Sequence, residues 1–223
     1  MFFGLWVFAN KGIKKAVYIH SASLREEVLE KILHTREFLK LQGFDLMVYD
    51  GWRSLELQEN LFWYYMRLFT VKNFDLQEHF NDASSTKDIR ECYNHLSPEV
   101  KKLTFEANRT YVSWPTSDPS YPSPHSTGGA VDVWLYKDGE AENLGVPFDW
   151  MKEEAGAFYH LKIKRKRFSG NDAKICRNRT TLLLSMINKS FTCYGPELWH
   201  FNFGNQMDAL VKGKSACYSY IEP

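Results

Sequence analysis

Two short segments of the chain contain residue types that bind and activate metal ions. In the first, SPHSTGGAVD, His125 and Asp132 lie seven positions apart and flank the pair Gly128–Gly129. An imidazole and a carboxylate are ligands that suit zinc in a catalytic site. Residues seven apart face opposite sides of a straight strand, so both side chains reach one ion only if the glycines permit a turn or a bulge.

The second segment, ELWH, supplies what a hydrolytic zinc site still needs. His200 is the predicted third ligand, and Glu197 is the predicted general base for a water whose pKa the metal lowers towards ~7. A spacing of three puts two side chains on one face of a helical turn but not of a regular strand, so we predict a twist, bulge or turn near 196–199. Each segment alone also fits a chance occurrence; together they predict a zinc hydrolase.

Composition limits the class of protein. The chain has 223 residues, with 28 Lys and Arg against 27 Asp and Glu, and 44% of its residues are apolar. The near-zero net charge argues against nucleic acid as a partner, and the apolar content is sufficient for a folded core. We predict a single domain over residues 1–223. The four cysteines allow two disulfides, but we favour free thiols because a chain of this length does not need the bridges.

The sequence also bears on location. It contains no run of about 18 apolar residues, which argues against a membrane span. The apolar segment Met1–Ala9 is followed, not preceded, by Lys11, Lys14 and Lys15, which is the reverse of the order in a signal peptide. We therefore predict a buried first strand and a cytoplasmic protein, with the periplasm as the less favoured alternative.

The elements that must position the two segments are a mixture of helices and short strands. The predicted helices cover residues 23–41 (capped by Ser23), 55–69 and 171–189, with weaker signals at 86–95 and 98–108. The predicted strands cover residues 44–49, 131–136, 191–194 and 198–203, and a proline-rich loop covers 113–124. This mixture predicts an α+β fold in which a mainly antiparallel sheet, flanked by helices, carries the zinc site.

Four segments together resemble a known family. SPHSTGGAVDVWLY and PELWHF resemble the metal motifs of the D-alanyl-D-alanine dipeptidases, which belong to the zinc D-Ala-D-Ala metallopeptidases. YDGWRS resembles their DGYRP segment, with Trp52 in place of the tyrosine and Ser54 in place of the proline. FDWM, at 148–151, resembles a segment between the two metal motifs. The matching segments run in order from about residue 44 to residue 203.

The resemblance implies hydrolysis of the dipeptide D-Ala-D-Ala with Glu197 as catalytic base. It also implies one Zn²⁺ per chain, held by His125, Asp132 and His200. Arg53 would stabilise the oxyanion, and Asp149 would bind the substrate ammonium group. Ser123 would line the pocket, and Asp50 would support Arg53. For Asp149 a plain helix N-cap is the alternative, and DGWR also fits a turn followed by an ion-paired arginine.

Two other functions stay open. One is a D,D-carboxypeptidase or peptidoglycan endopeptidase of the same group. The other is a zinc-stabilised binding module without catalysis, against which Glu197 and Arg53 argue, because holding zinc requires neither. The basic run KIKRKR at 162–167 fits a solvated surface better than a nucleic-acid site, since the whole chain is nearly neutral. The oligomeric state and the choice between glycopeptide resistance and D-alanine recycling are also open.

Overall fold

The computed structural model describes residues 6–7, 18–19, 23–162 and 170–222, and the chain divides into two compact units. Unit 1 comprises residues 1–52 and 124–223, and unit 2 comprises residues 53–123. The single domain over 1–223 stays a prediction. The side chains of the basic run 162–167 lie outside the described residues, and of the predicted first strand only the backbone of 6–7 is described.

Helices and strands both occur throughout unit 1. Along the chain the strands are β1 (Trp6–Val7), β2 (Tyr18–Ile19), β3 (Asp45–Asp50), β4 (Ala130–Lys137), β5 (Glu140–Ala141), β6 (Thr192–Tyr194) and β7 (Glu197–Asn202). The helices are α1 (Glu26–Lys40), α2 (Leu55–Phe74), α3 (Thr86–Asn94), α4 (Pro98–Tyr111), α5 (Tyr159–Lys162), α6 (Gly170–Ile187) and α7 (Gln206–Lys212). Helices α2, α3 and α4 belong to unit 2, and the others belong to unit 1.

An antiparallel sheet in the order β3–β4–β7–β6 forms the centre of unit 1, with β5 paired to the end of β4. Helix α1 contacts β3, and α6 contacts β4 and β7. Their apolar side chains share one core, which includes Val28, Val133, Leu182 and Phe201. The predicted α+β class, with an antiparallel sheet flanked by helices, is therefore confirmed.

Strand β4 is the strand that matters most for the site. Residues 130–135 are all buried, which is why this stretch reads as an almost continuous apolar run. Asp132 interrupts that run and is only 3% exposed. A carboxylate in such a place must be paired or must bind a cation, so the fold itself draws attention to Asp132.

Unit 2 is helical, and serine caps begin its three α-helices, including α3 and α4, whose helical signals in the sequence are weak. Ser54, Ser85 and Ser97 each accept a backbone hydrogen bond at the start of α2, α3 and α4. Phe62 and Met66 of α2 pack in a second core with Ile89 of α3. None of the helices among the described residues has both the length and the apolar character that crossing a membrane requires.

The predicted cap of α1 is wrong. The helix begins at Glu26, and Arg25 holds the cap position without a side-chain cap. Ser23 instead uses its carbonyl to accept a hydrogen bond from the Trp52 N–H at 2.7 Å. Arg25 donates its backbone N–H to Gly128, so tertiary contacts set the start of this helix.

A bidentate ion pair joins α1 to the start of β3, and it predicts that the stability of the fold depends on pH in the acidic range. Arg36 contacts Asp45 with Nε–Oδ1 at 2.6 Å and Nη2–Oδ2 at 2.9 Å. The hydrogen bond to Arg36 holds the pKa of Asp45 below its usual range. A carboxyl with a lowered pKa stabilises the fold above its unfolded pKa, and this stabilisation is lost as the pH falls through its folded pKa.

Asp45→Asn is therefore expected to lower the free energy of unfolding by about 0.5–1 kcal/mol at neutral pH, a small effect because the pair is largely exposed. The difference from the wild type should shrink at about pH 3, where the carboxyl is increasingly protonated. Urea unfolding at the two pH values measures both effects. Arg36→Gln removes the other partner and should behave alike; unchanged stability in both variants at neutral pH would contradict the prediction.

Candidate metal centre

Three predicted ligands, His125, Asp132 and His200, meet in the interior of unit 1. Asp132 and His200 are direct cross-strand partners in β4 and β7. His200 Nδ1 lies 2.9 Å from Asp132 Oδ1. His125 Nε2 lies 3.4 Å from Asp132 Oδ2 and 3.2 Å from His200 Nδ1. All three residues are buried, so the cluster is held rigidly by the strands around it.

These distances fit one tetrahedral zinc ion. Zinc binds nitrogen and oxygen ligands at about 2.0–2.1 Å, which places two ligand atoms of a tetrahedral site about 3.3 Å apart. The measured separations range from 2.9 to 3.4 Å, with Asp132 Oδ1 facing His200 and Asp132 Oδ2 facing His125. One ligand atom from each of the three residues lies within 4.8 Å of the others, which is close enough for the three residues to share one metal ion.

The outer nitrogens of both imidazoles fix which atoms face the cluster. His125 Nδ1 lies 2.6 Å from the Gly51 carbonyl oxygen, and His200 Nε2 lies 3.2 Å from Asn202 Oδ1. Asn205 Nδ2 also donates to Asn202 Oδ1, which supports the orientation of that amide. Because these oxygens accept, they suit the tautomers in which each outer nitrogen carries the proton and each inner nitrogen presents a lone pair to a bound cation.

With a cation bound, two lone pairs and a carboxylate would thus point at one ion in a buried site. Such an arrangement is favourable around a cation and repulsive without one. The outer hydrogen bonds are of the kind that orient metal-bound histidines. The residues therefore fit zinc, the predicted cofactor.

Two opposing influences act on the pKa of Asp132. Burial by itself raises this pKa, but in the metal-free cluster the positive charge and N–H donors of protonated His125 and His200 outweigh it and hold the pKa well below its usual range. The ionised carboxylate is the form that binds a metal ion.

The turn before β4 explains how ligands seven positions apart come together. His125–Thr127 form a short 3-10 helix, and Gly128 has a left-handed backbone with a φ of 68°. Gly129 then passes so close to the segment that follows β7 that an added Cβ would lie 2.6 Å from the Phe203 carbonyl oxygen. The glycine pair thus reverses the direction of His125 relative to β4, as its sequence predicts.

Gly129→Ala is therefore expected to lower the free energy of unfolding by about 1–3 kcal/mol, since the methyl group overlaps a backbone oxygen. The affinity for zinc should fall too, because Gly129 joins the segments that carry His125 and Asp132. Urea unfolding and zinc titration measure these effects. Gly170→Ala is the control, since an added Cβ there meets no atom of the described residues within 4 Å; equal stability and zinc affinity in the two variants would contradict the prediction.

The irregular pairing of β7 brings Glu197 to the cluster. Between the pairs Cys193–Phe201 and Tyr194–Glu197, β7 advances four residues while β6 advances one. This bulge lies at the predicted place, next to the turn at 195–196. Glu197 is buried, and its Oε2 lies 3.8 Å from His200 Nδ1. A carboxylate at this distance is next to the ligand atoms without being needed as one of them.

Asp50 and Asp149, two of the predicted substrate-site residues, lie in unit 1 and have different surroundings. Asp50 is buried at the end of β3, opposite Asp132, and its Oδ1 accepts the Gly51 N–H at 2.8 Å. It therefore helps to orient the peptide of Gly51, whose carbonyl oxygen contacts His125. Asp149 is exposed in a turn with a φ of 60°, so its helix N-cap alternative is wrong.

Arg53 and Ser123 are the first and last residues of unit 2. Arg53 Nη1 donates to Gln58 Oε1 at 3.1 Å, and Gln58 Nε2 donates to the Ser113 carbonyl oxygen at 2.8 Å. Ser123 is buried. The roles of Arg53 and Ser123 towards a substrate stay predictions.

Asn202 and the Gly51 carbonyl are functional groups that the sequence reasoning missed. Asn202 follows His200 by two positions, which on a strand places both side chains on one face, so the spacing HxN was an available signal. The carbonyl of Gly51 gave no such signal, because a backbone group is the same in every residue. The four cysteines, all within the described residues, are free thiols.

A family model matches the part of the chain that contains this cluster and shows the family of the chain. The model described as D-ala-D-ala dipeptidase (Peptidase_M15) matches residues 71–220, more than half of the chain and the part that includes all three predicted ligands and Glu197. The chain belongs to the D-Ala-D-Ala dipeptidase family. The predicted family resemblance is thereby confirmed, and with it the prediction of a metallopeptidase.

Two relatives of this family member have the same description. A D-alanyl-D-alanine dipeptidase of Synechocystis is 30% identical over 121 residues, which are 50% of this chain and 47% of that protein. A D-alanyl-D-alanine dipeptidase of Enterococcus faecium is 25% identical over 177 residues, or 78% of this chain and 70% of that protein. The matched part thus spans about half the length of the first relative and more of the second.

Two solved structures are also similar to this D-Ala-D-Ala dipeptidase family member. A Zn(II) complex of the vancomycin resistance D,D-pentapeptidase VanY is 14% identical with a TM-score of 0.46, covering 96% of this chain and 85% of that chain. VanYB in complex with D-alanine-D-alanine is 13% identical with a TM-score of 0.39, covering 88% of this chain and 81% of that chain.

Proposed function

We propose that the chain is a zinc-dependent dipeptidase that hydrolyses D-Ala-D-Ala to two molecules of D-alanine. The observation that carries the proposal is the convergence of His125 Nε2, Asp132 and His200 Nδ1 beside Glu197 in a member of this family. Three protein ligands leave a fourth position for water or substrate, which is the arrangement of catalytic zinc sites.

Zinc, held by His125, Asp132 and His200, would make a water molecule acidic at neutral pH and polarise the peptide carbonyl. Glu197 would take the proton of the attacking water on its carboxylate and later return it to the leaving amine. The 3.8 Å between Glu197 Oε2 and His200 Nδ1 supports this role, because it keeps the base beside the ligands. The Gly51 carbonyl and Asn202 would keep the two imidazoles in the tautomers that bind metal.

The remaining predicted residues would recognise the dipeptide. Arg53 would stabilise the negative charge that develops on the carbonyl oxygen, since a guanidinium presents its donors as a planar fork. Asp149 would pair with the free ammonium group, Ser123 would line the pocket, and Asp50 would support Arg53. A small zwitterion needs such local charges and not a charged surface, which agrees with the near-zero net charge of the chain.

The test is the release of amine from D-Ala-D-Ala and from its N-acetylated form, with and without a chelator. We expect cleavage of the free dipeptide, abolished by the chelator, and cleavage of the acylated form at least about 100-fold slower, because Asp149 then lacks its partner. Comparable rates on both substrates would instead support a D,D-carboxypeptidase or endopeptidase. A zinc-loaded protein that cleaves neither would support the binding module.

The proposal extends to a cytoplasmic location and to turnover of a cell-wall dipeptide. In cells that make the protein, the pool of D-Ala-D-Ala should fall relative to cells that make Glu197→Gln. An unchanged pool in cells with active enzyme would contradict this part, and fractionation of the same cells tests the location.

A further inference from the structure

Arg179 is a buried cation whose recorded hydrogen-bond partners are all backbone carbonyls. It lies on α6 and is only 4% exposed. Its Nε donates to the Leu144 oxygen at 2.6 Å, its Nη2 to the Glu154 oxygen at 2.8 Å and its Nη1 to the Gly156 oxygen at 3.3 Å. Burying a guanidinium is unfavourable unless its donors are satisfied, so this position is a specific arrangement and not general packing.

The three carbonyls belong to the two stems of one loop, residues 144–156, which we call the 144–156 loop. Leu144 lies in its first stem, and Glu154 and Gly156 lie in its second. The neighbouring Asn178 adds a bond to the Asn143 oxygen at 3.2 Å, and the Ala157 N–H donates to the Gly195 oxygen at 2.9 Å. The guanidinium of Arg179 therefore joins the two stems by hydrogen-bonding to both of them at the base of the loop.

Asp149 lies at the tip of the 144–156 loop with a left-handed backbone. Its φ of 60° falls in a region that aspartate adopts more readily than most residues with a side chain, so Asp149 suits a tight turn at this tip. The preceding Phe148 packs its ring 4.8 Å from Tyr49 and 6.1 Å from Trp134. Trp134 is two positions after Asp132 on β4, so Phe148 rests on the sheet face that carries this metal ligand.

We propose that Arg179 is a positioning residue: by joining both stems of the 144–156 loop, it holds Asp149 where the substrate ammonium group binds. This inference rests on the proposed function, because it takes Asp149 as the ammonium site. Arg179 acts through Asp149: within the described residues its three hydrogen bonds all go to the loop stems and none goes to the metal cluster.

Arg179→Lys tests the proposal by the steady-state kinetics of D-Ala-D-Ala hydrolysis. Lysine keeps the charge but lacks the fork that reaches three carbonyls. We expect KM to rise about tenfold through misplacement of Asp149, with kcat within about twofold and one zinc per chain retained. Arg177→Lys, at an exposed position of the same helix, is the matched control and should change neither constant.

A double-mutant cycle separates positioning from general stability. If Arg179 acts through Asp149, then Arg179→Lys should add little to the KM of Asp149→Asn, because the group it positions is already disabled. Additive effects, or a lower kcat with unchanged KM, would overturn the proposal.

Hydrogen exchange gives a readout that does not depend on activity. Amides of the 144–156 loop should exchange at least about tenfold faster in Arg179→Lys, while those of β4 stay as protected as in the wild type. Equal protection of the loop in both proteins would overturn the holding role of Arg179. A wild type that fails to cleave D-Ala-D-Ala would overturn the proposed function and the ammonium role, while exchange still decides whether Arg179 holds the loop.

Discussion

Glu197→Gln is expected to lower kcat for D-Ala-D-Ala by about 10²- to 10⁴-fold while the protein keeps one zinc per chain. The amide has nearly the same shape as the carboxylate but cannot take a proton from the attacking water. Zinc should be retained because His125, Asp132 and His200 would supply the three ligand atoms without Glu197. Initial rates at saturating substrate, together with metal analysis of the same sample, measure both expectations.

Glu140→Gln is the matched control for this variant, because Glu140 is an exposed glutamate of β5. It should have wild-type kcat. A Glu197→Gln protein with wild-type kcat would remove the general base from the account. A variant that loses both zinc and activity would make Glu197 a ligand and not a base.

His200→Ala should lower the affinity for zinc by more than about 100-fold and abolish hydrolysis at zinc concentrations that saturate the wild type. Loss of an outer partner of a metal ligand alone costs about 10- to 100-fold in affinity, so loss of the ligand must exceed it. The change also leaves Asp132 without its cross-strand partner at 2.9 Å. Zinc titration of metal-free protein measures the affinity.

His34→Ala is the matched control, since His34 is exposed on α1. It should bind zinc as the wild type does. Thermal unfolding of metal-free His200→Ala shows whether the variant is folded. A folded His200→Ala that binds zinc as tightly as the wild type would exclude His200 as a ligand.

The metal centre could be predicted from the sequence because its determinants are local. The Gly128–Gly129 pair between His125 and Asp132 signals a turn, and that turn is present. The spacing between Glu197 and His200 is incompatible with a regular strand, and β7 has its bulge there. In both cases two side chains must reach one site although a regular strand would point them to opposite faces. That conflict indicates where the backbone must depart from regular strand geometry.

The parts that could not be predicted depend on partners far away in sequence. The start of α1 is shifted because Ser23 bonds to Trp52, a contact that no helical pattern records. The proposed role of Arg179 depends on backbone carbonyls 23 to 35 positions away. Every residue has such a carbonyl, so the residue types in the sequence do not show which ones Arg179 bonds. The burial of Arg179 is known only from the fold, because the sequence does not distinguish a buried arginine from an exposed one.

The boundary between the two units could not be predicted from the sequence either. DGWR is continuous in the sequence, yet Asp50 and Trp52 belong to unit 1 and Arg53 begins unit 2. Trp52 is fixed in unit 1, where its Nε1 donates to the Ile221 oxygen at 2.8 Å. The role of Arg53 is therefore best tested by kinetics, with Arg53→Lys compared with the wild type in kcat.

Zinc added back to metal-free protein tests the central claim most directly. Amine release from D-Ala-D-Ala is measured as zinc is titrated into the chelator-stripped chain. The account predicts that the rate rises in proportion to zinc and reaches its plateau at one zinc per chain. Full activity before any zinc is added, or no activity at the plateau of binding, would contradict it.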